Sequence, residues 1–376
     1  MKRDQRIAIK NKDDLTAFII IGIMIFGMLL VSFDLTEDPN LTPRFFFIAV
    51  CVLISQIWLF FLILRNPDKF DTSVFKQAFF PIYAIYLISI IISVSNALNV
   101  YEVIWGFLKT ITFLNFLSVF ILLFSKSKNY ERIITKLITV YSIIIIAYGI
   151  YELLSLILGG KLDLENTYLV TAGFRLRNLY SQMLFLTLPF TIFGIYLFRG
   201  FWRHISLTAT LSVIALIPML MTRSVWFGIT LATLSSLIVF FLYNKHLKIS
   251  KKSINRSILF LLIIVVLISG SVVVYSRLDS FETFRYRINE AFNFKHGSAS
   301  TRLMLWDTTL DMIKNSPITG IGAENWKLIY PKFSGAYEYS PAGEALTPRR
   351  PHNDFLWVLS ETGIIGCLLF IAIFSI

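Results

Sequence analysis

Three side chains that could do chemistry together stand far apart in the sequence: Arg223, Arg302 and His352. An arginine guanidinium presents a fork of N–H donors that matches phosphate oxygens, and it keeps its charge at any working pH. A neutral histidine can accept a proton near physiological pH. The three residue types therefore fit proton transfer beside a bound phosphate. Whether they meet depends on the elements that carry them.

Those elements are predicted to be transmembrane helices. The chain has 376 residues, of which 56% are hydrophobic and 15% charged, whereas a soluble domain carries about 25% charged residues. Apolar blocks such as 16–33, 45–64 and 257–275 are long enough to cross the roughly 30 Å hydrocarbon layer as helices. The sequence thus predicts an all-α polytopic membrane protein.

We predict about ten transmembrane helices in three parts of the chain. Residues 1–275 form a membrane domain, 276–363 form one large loop, and 364–376 begin a last helix that we expect to continue past Ile376. The nine complete apolar runs lie at 16–33, 45–64, 78–95, 104–124, 137–158, 179–198, 207–221, 225–243 and 257–275.

The basic residues predict which side each loop faces. The N-terminal tail and the loops at 65–76, 125–136, 199–206 and 244–257 hold 19 Lys and Arg residues, whereas the opposite short loops hold 5. The basic side is expected to face the cytoplasm, so Arg223, Arg302 and His352 all fall on the extracytoplasmic face. The basic tracts flank helices, where anionic lipid is the natural partner, and a nucleic-acid partner is not supported.

The large loop contains segments whose local structure can be predicted from the sequence. Leu303, Trp306 and Leu310 recur at helical spacing, with Ser300 as the predicted N-cap, and the Asn-Ser-Pro run at 315–317 predicts the end of that helix. A glycine turn at 319–326, a short helix from Trp326 and a loop at 334–350 should follow. A helix led by His352 and Asn353 then runs to Gly363, which permits a break before the last crossing.

Each candidate also has a structural interpretation. Arg223 could anchor a lipid headgroup at a helix end, Arg302 could be a solvated first-turn residue, and His352 could cap the following helix. Lys109, inside the fourth run, could contact a diphosphate or form an internal pair. The other supporting candidates are Arg349, Arg350, Asn353 and Glu361. Cys51 and Cys367 sit in apolar runs and predict no disulfide framework.

The second half of the chain resembles the O-antigen ligase and polymerase superfamily. The turn "TRSVWFG" at 222–228 is similar to a Ser/Thr-Arg turn of that family, and of its usual Asn-x-Asn pair only Asn178 is present, so no role is carried over there. The other residues that carry the resemblance are Arg302, Trp306, Pro317, Gly320 to Gly322, His352, Asn353, Glu361, Gly363 and Gly366.

The resemblance implies glycan transfer from undecaprenyl diphosphate to an acceptor hydroxyl at the outer face of the bacterial inner membrane. His352 would be the base, and Arg223 and Arg302 would hold the diphosphate. Lipid A core, a growing glycan or another hydroxyl would be the acceptor, which leaves ligase and polymerase both open. No cofactor or metal is expected.

Two alternatives come from other functional classes. One is a flippase or transporter of lipid-linked sugars, and the other is a membrane scaffold whose loop binds a partner. A transporter would be favoured by repeated halves and by charges near the bilayer midplane. This sequence has no evident internal repeat, and its polar candidates collect at one face.

Overall fold

The structure is a computed structural model that describes residues 12–32, 41–125, 127, 129–160, 169–174, 176–220, 222–247, 298–334, 338–339, 345–346 and 348–376. Before residue 248 its helices are α1 (Lys12–Leu30), α2 (Leu41–Arg65), α3 (Phe79–Ile92), α4 (Val100–Phe124), α5 (Tyr130–Leu158), α6 (Arg177–Leu197), α7 (Phe201–Met219) and α8 (Arg223–Leu247). After residue 297 they are α9 (Ser298–Asn315), α10 (Trp326–Ser334) and α11 (Asp354–Ser375). Short 3₁₀ turns lie at Pro67–Lys69, Ser73–Lys76 and Ser93–Asn96.

Among the described residues, eight helical segments are long and apolar enough to cross a membrane, and they belong to α1–α7 and α11. Large apolar side chains such as Phe61 and Phe113 are 57% and 63% exposed, as expected for surfaces that contact lipid. The prediction of an all-α polytopic membrane protein is confirmed. The predicted eighth run falls on α8, and the predicted ninth run at 257–275 lies outside the described residues.

Several helices begin earlier than the apolar runs that predicted them. α4 begins at Val100, α5 at Tyr130 and α7 at Phe201, each four to seven residues before the predicted start. Hydropathy marks only the apolar part, whereas helical hydrogen bonding continues through the polar residues that flank it. At α4 the start is set by Asn99, whose side chain accepts a hydrogen bond from the Tyr101 amide at 3.0 Å.

In the predicted loop, two details of the sequence-based description are wrong. α9 begins at Ser298, so Ser300 lies inside its first turn and is not the N-cap. The stretch predicted as plain loop contains two strands, β1 (Glu338–Tyr339) and β2 (Ala345–Leu346), which pair antiparallel with Glu338 opposite Leu346. The predicted helix end at Asn315 and the short helix from Trp326 are confirmed.

The chain divides into two compact units, of which the first comprises residues 1–47 and 127–286. Its centre is the packing of α5, α6 and α7. Gly149 and Gly194 allow close approach, since added methyl groups there would lie 2.1 Å from the Tyr180 hydroxyl and 2.4 Å from Ser206 Oγ. Small residues at helix contacts are typical of membrane helices, which cannot rely on the hydrophobic effect to associate.

The second unit comprises residues 48–126 and 287–376. Here α11 packs on α3 and α9, and α4 packs on α3. α11 is broken at Gly363, where φ is 69° and ψ is −173°, so the predicted break is confirmed. The segment between α9 and α10 meets this break and holds most of the polar contacts of the unit.

Candidate active site

His352 lies immediately before α11 in a left-handed backbone conformation, with φ of 56°. The following residue, Asn353, caps the helix, since its side-chain oxygen accepts hydrogen bonds from the amides of Phe355 at 3.1 Å and Leu356 at 3.2 Å. The alternative in which His352 caps the helix is therefore wrong. As a whole residue, His352 is exposed at the N-terminus of α11.

Two arginines act on the charge of this imidazole. Partial burial, and then the positive charges of Arg302 and Arg350, lower the pKa of His352 below its usual value. The structure thus brings together two of the predicted site residues, Arg302 from α9 and His352, and adds the supporting candidate Arg350. The direction of this shift favours the uncharged imidazole, which is the form able to accept a proton.

The segment before His352 contacts its surroundings at Arg350 and at Pro351. The Trp306 indole N–H donates to the Pro351 carbonyl at 2.9 Å. The Arg350 guanidinium lies over the Trp357 ring, with its carbon 4.6 Å from the ring centroid, a favourable cation–π geometry. Arg349 is exposed. This segment is thus held by two tryptophans, one from α9 and one from α11.

Lys109 forms an internal ion pair, which was one of its two predicted roles. Its ammonium contacts the carboxylate of Glu324 and lies 5.7 Å from the centroid of the Trp105 ring. Sequence reasoning missed Glu324, because the residue follows a glycine turn far along the chain and no local pattern pairs it with α4. A second ion pair, Lys327 with Glu102 at 2.8 Å, joins the start of α10 to α4.

The chain at 317–326, hereafter the glycine turn segment, is bonded directly to the broken part of α11. The amides of Ile321 and Gly322 donate to the carbonyls of Ser360 and Glu361 at 2.9 and 3.0 Å. In return, the Ile364 amide donates to the Pro317 carbonyl at 2.9 Å. These bonds satisfy backbone groups that a helix break would otherwise leave without partners.

Glycine is required on both sides of this contact. A methyl group at Gly320 would lie 2.2 Å from the Glu361 carbonyl oxygen, and one at Gly363 would lie 2.0 Å from the Ile318 carbonyl oxygen. Both glycines also have positive φ, at 71° and 69°. Two elements of the family-like motif, the glycine turn and the glutamate-to-glycine segment of α11, are therefore one contact in space.

The other side of the glycine turn segment is held by the connection between α3 and α4. The Asn325 side chain is fully buried; it donates to the carbonyls of Asn99 and Ala323 at 3.0 Å and accepts from the Asn99 amide at 2.7 Å. The Asn96 side chain donates to the Gly320 carbonyl at 3.0 Å. These asparagines carried no signal in the sequence, because their partners are more than 220 residues away.

Glu361 is buried, with 6% of its surface exposed. One of its carboxylate oxygens accepts a hydrogen bond from the Trp326 amide at 3.2 Å. The residue therefore links α11 to the start of α10, and this contact fits a supporting role better than direct contact with a ligand.

Arg223 is the first residue of α8 and belongs to the first unit. The hydroxyl of its neighbour Thr222 lies 3.4 Å from the side-chain oxygen of Asn178, near the start of α6. The two motif segments of this unit therefore meet. The grouping of Arg223 with Arg302 and His352, which belong to the second unit, stays a prediction.

Within the described residues, no group of three or more His, Cys, Asp or Glu side chains is placed to hold a metal ion. Both cysteines, Cys51 and Cys367, have free thiols. The charged groups that act on the His352 imidazole are the guanidinium groups of Arg302 and Arg350.

Comparison with known proteins supports the resemblance described from the sequence. Residues 207–371 match the family model described as O-antigen ligase. The predicted resemblance to the O-antigen ligase superfamily is confirmed. The matched range contains Arg223, Arg302 and His352, together with the glycine turn segment and most of α11. Lys109 and Asn178 lie outside it.

Curated relatives agree with this family. A protein of Rickettsia conorii is 30% identical over 121 residues, which cover 31% of this chain and 28% of the relative. A protein of Rickettsia prowazekii is 31% identical over 123 residues, covering 31% of this chain and 29% of the relative. Each carries the provisional name polysaccharide ligase. The match thus spans less than a third of these relatives, and no solved structure matches the chain at a significant level.

Proposed function

We propose that this protein is a membrane glycosyltransferase of the O-antigen ligase or polymerase type. It moves a glycan from undecaprenyl diphosphate to an acceptor hydroxyl on lipid A core, a growing glycan or another acceptor, in the synthesis of a cell-surface polysaccharide. The proposed location is the extracytoplasmic face of the bacterial inner membrane, and its support is the distribution of basic residues between the loops. The family match and the names of the relatives support the class of reaction.

The observation that carries the proposal is the hydrogen bond by which Trp306, on the helix that also carries Arg302, holds the Pro351 carbonyl just before His352. The effect of the Arg302 and Arg350 charges on the pKa of His352 agrees with this geometry. A diphosphate needs fixed positive charge, and the attacking hydroxyl needs a base that is neutral at working pH. In this proposal, Arg302 supplies the positive charge and His352 supplies the base. The Lys109 ammonium is already paired with Glu324, so the proposal assigns the diphosphate to arginines.

In the proposed reaction, the acceptor oxygen bonds to the anomeric carbon of the glycan while its proton passes to the His352 imidazole. The bond from that carbon to the phosphate oxygen breaks, and its electron pair leaves with the diphosphate. The leaving group gains one negative charge, which Arg302 and Arg223 stabilise. Guanidinium groups suit this task because they bind two phosphate oxygens at once and stay charged.

The test is glycan transfer by the purified full-length protein, with an undecaprenyl-diphosphate glycan as donor. His352→Gln retains a hydrogen-bonding side chain but cannot take the proton, so the rate should fall on the order of 100- to 10,000-fold while donor binding persists. His204→Gln, at an exposed position of α7, is the matched control and should transfer at the wild-type rate. A near wild-type rate for His352→Gln would refute the assignment of the base.

The arginine role has a separate test in the same assay. Arg302→Lys keeps the charge but loses the two-pronged donor, so donor affinity and rate should both fall. Arg203→Lys, exposed on α7, controls for the substitution itself. If Arg302→Lys and Arg223→Lys both retain full activity, a point charge suffices and the diphosphate contact is wrongly assigned.

A further inference from the structure

We infer that Trp306 is the positioning residue for the proposed base: its indole N–H holds the Pro351 carbonyl and thereby fixes His352 relative to Arg302. The bond is 2.9 Å long and joins α9 to the residue immediately before His352. This inference rests on the proposed function, because it concerns how the base of that reaction is held.

The backbone of His352 needs such support. Its φ of 56° lies in the left-handed region, which side chains with a Cβ rarely adopt. On the C-terminal side, Asn353 fixes the chain by capping α11. On the N-terminal side, the described hydrogen bond to the Pro351 carbonyl is the one from Trp306. Loss of that bond frees one end of a disfavoured conformation, which then relaxes.

Trp306 is itself anchored, so its N–H cannot follow a moving carbonyl. Its ring packs against a buried cluster that includes Leu305, Met312 and Trp326. The ring of Trp357 packs against the same cluster and carries the Arg350 guanidinium. The two residues that precede the proposed base, Arg350 and Pro351, therefore both contact tryptophans that pack against a single cluster of side chains.

The spacing of Arg302 and Trp306 along α9 relates the hydrogen bond from Trp306 to the proposed reaction. Trp306 follows Arg302 by four residues, so both side chains lie on one face of the helix, about one turn apart. A bond that fixes Pro351 against Trp306 consequently fixes the separation of His352 from Arg302. The influence of the Arg302 charge on the imidazole agrees with this placement.

The decisive variant is Trp306→Phe, which keeps an aromatic ring in the cluster and removes the N–H. We expect kcat to fall on the order of 10- to 100-fold, because a displacement of about 1 Å has effects of that size. The donor KM should change little, since Arg302 remains in place. The acid limb of the pH–rate profile should move to higher pH as His352 moves away from the positive charge of Arg302.

Trp326→Phe is the matched control. The Trp326 indole N–H donates to Thr309 at 3.1 Å within the same cluster, and its ring is fully buried. This variant should lose at least as much thermal stability as Trp306→Phe, yet keep kcat and the acid limb of the wild type. In the contrary outcome, both variants lose kcat in proportion to their loss of thermal stability, and the acid limb of the pH–rate profile moves in neither. Trp306 then has only a structural role, and the inference is overturned.

A measurement that does not depend on catalysis can test this inference independently of the proposed function. NMR of histidine-labelled protein, assigned with His352→Ala, reports the titration of the imidazole directly. A titration in Trp306→Phe identical to that of the wild type would overturn the positioning role, whatever the activity. If Trp306→Phe shifts the titration while His352→Gln still transfers glycan, Trp306 positions His352 but the proposed base is wrong.

Discussion

The two units of this protein differ in the hydrogen bonds that stabilise each unit internally. In the first unit, buried hydroxyls bond mainly to their own helix, as Thr210 does to the Ser206 carbonyl at 2.8 Å, and the helices meet through small residues. In the second unit, side chains bond to backbone groups more than 200 residues away, as Asn96 and Asn325 do. The second unit therefore adds, to hydroxyl bonds within single helices such as that of Thr309, hydrogen bonds that join segments remote in the sequence. The proposed site residues Arg302 and His352 belong to the second.

The largest expected effect separates two glycine substitutions. Gly363→Ala combines a positive φ with a methyl group 2.0 Å from a backbone carbonyl, and it should cost more than about 4 kcal/mol of unfolding free energy. Gly194→Ala in the first unit meets a serine side chain and should cost about 1–3 kcal/mol. Thermal unfolding in detergent measures both. Equal losses of unfolding free energy in the two variants would contradict the proposed difference between the two units.

A second comparison replaces one buried polar side chain in each unit. Asn325→Ala removes three hydrogen bonds from a fully buried site and should cost about 2–4 kcal/mol, because backbone groups of Asn99 and Ala323 lose their partners. Thr210→Ala removes a buried hydroxyl that bonds within its own helix and should cost about 1 kcal/mol. Unfolding by denaturant or heat measures both losses of stability, and a larger loss for Thr210→Ala would reverse the comparison.

The ion pair between Lys109 and Glu324 should show measurable coupling. Its side chains are 25% and 19% exposed, so a double-mutant cycle with Lys109→Met and Glu324→Gln should give about 1–2 kcal/mol. The exposed pair of Lys314 with Asp311, whose side chains are 77% and 61% exposed, is the control and should give less than about 0.5 kcal/mol. If the coupling free energy of Lys109 with Glu324 is no larger than that of Lys314 with Asp311, water screens both pairs alike.

The smallest expected effect is a shift of a pH profile. A neutral imidazole is the active form, so transfer should be lost as pH falls through the pKa of His352. Burial, Arg302 and Arg350 hold that pKa below its usual value, and Arg350→Gln removes one positive charge. The pKa should rise, and the acid limb should move to higher pH, when initial rates are measured across pH. Arg203→Gln, distant in sequence and exposed, should leave the limb in place.

The sequence predicted the features that local pattern encodes. Apolar runs of sufficient length located the membrane helices, Pro317 located the end of α9, and Gly363 located the break in α11. Helix starts were missed at Tyr130 and Phe201, because polar residues continue a helix without continuing its hydropathy. The site residues Arg302 and His352 were predicted through residue chemistry and the family-like motif.

What the sequence could not predict are contacts between residues remote along the chain. Nothing near Asn325 indicates that it bonds to Asn99, and nothing near Lys109 identifies Glu324 as its partner. Trp306 was recognised as an apolar helix position and as part of the family-like motif, but its bond to Pro351 was not predicted, since the carbonyl that accepts its N–H is 45 residues away. Such pairings depend on the relative placement of whole helices, which no local pattern fixes.

The bonds between Asn96 and the glycine turn segment have a consequence for biosynthesis. The two partners are separated by 224 residues, and at a synthesis rate of about 5–20 residues per second the second emerges on the order of 10–45 s after the first. During that interval α3 and α4 wait in the bilayer with the polar groups of their connection lacking their final partners. A factor that protects nascent membrane proteins would therefore find a long-lived target at the end of α3.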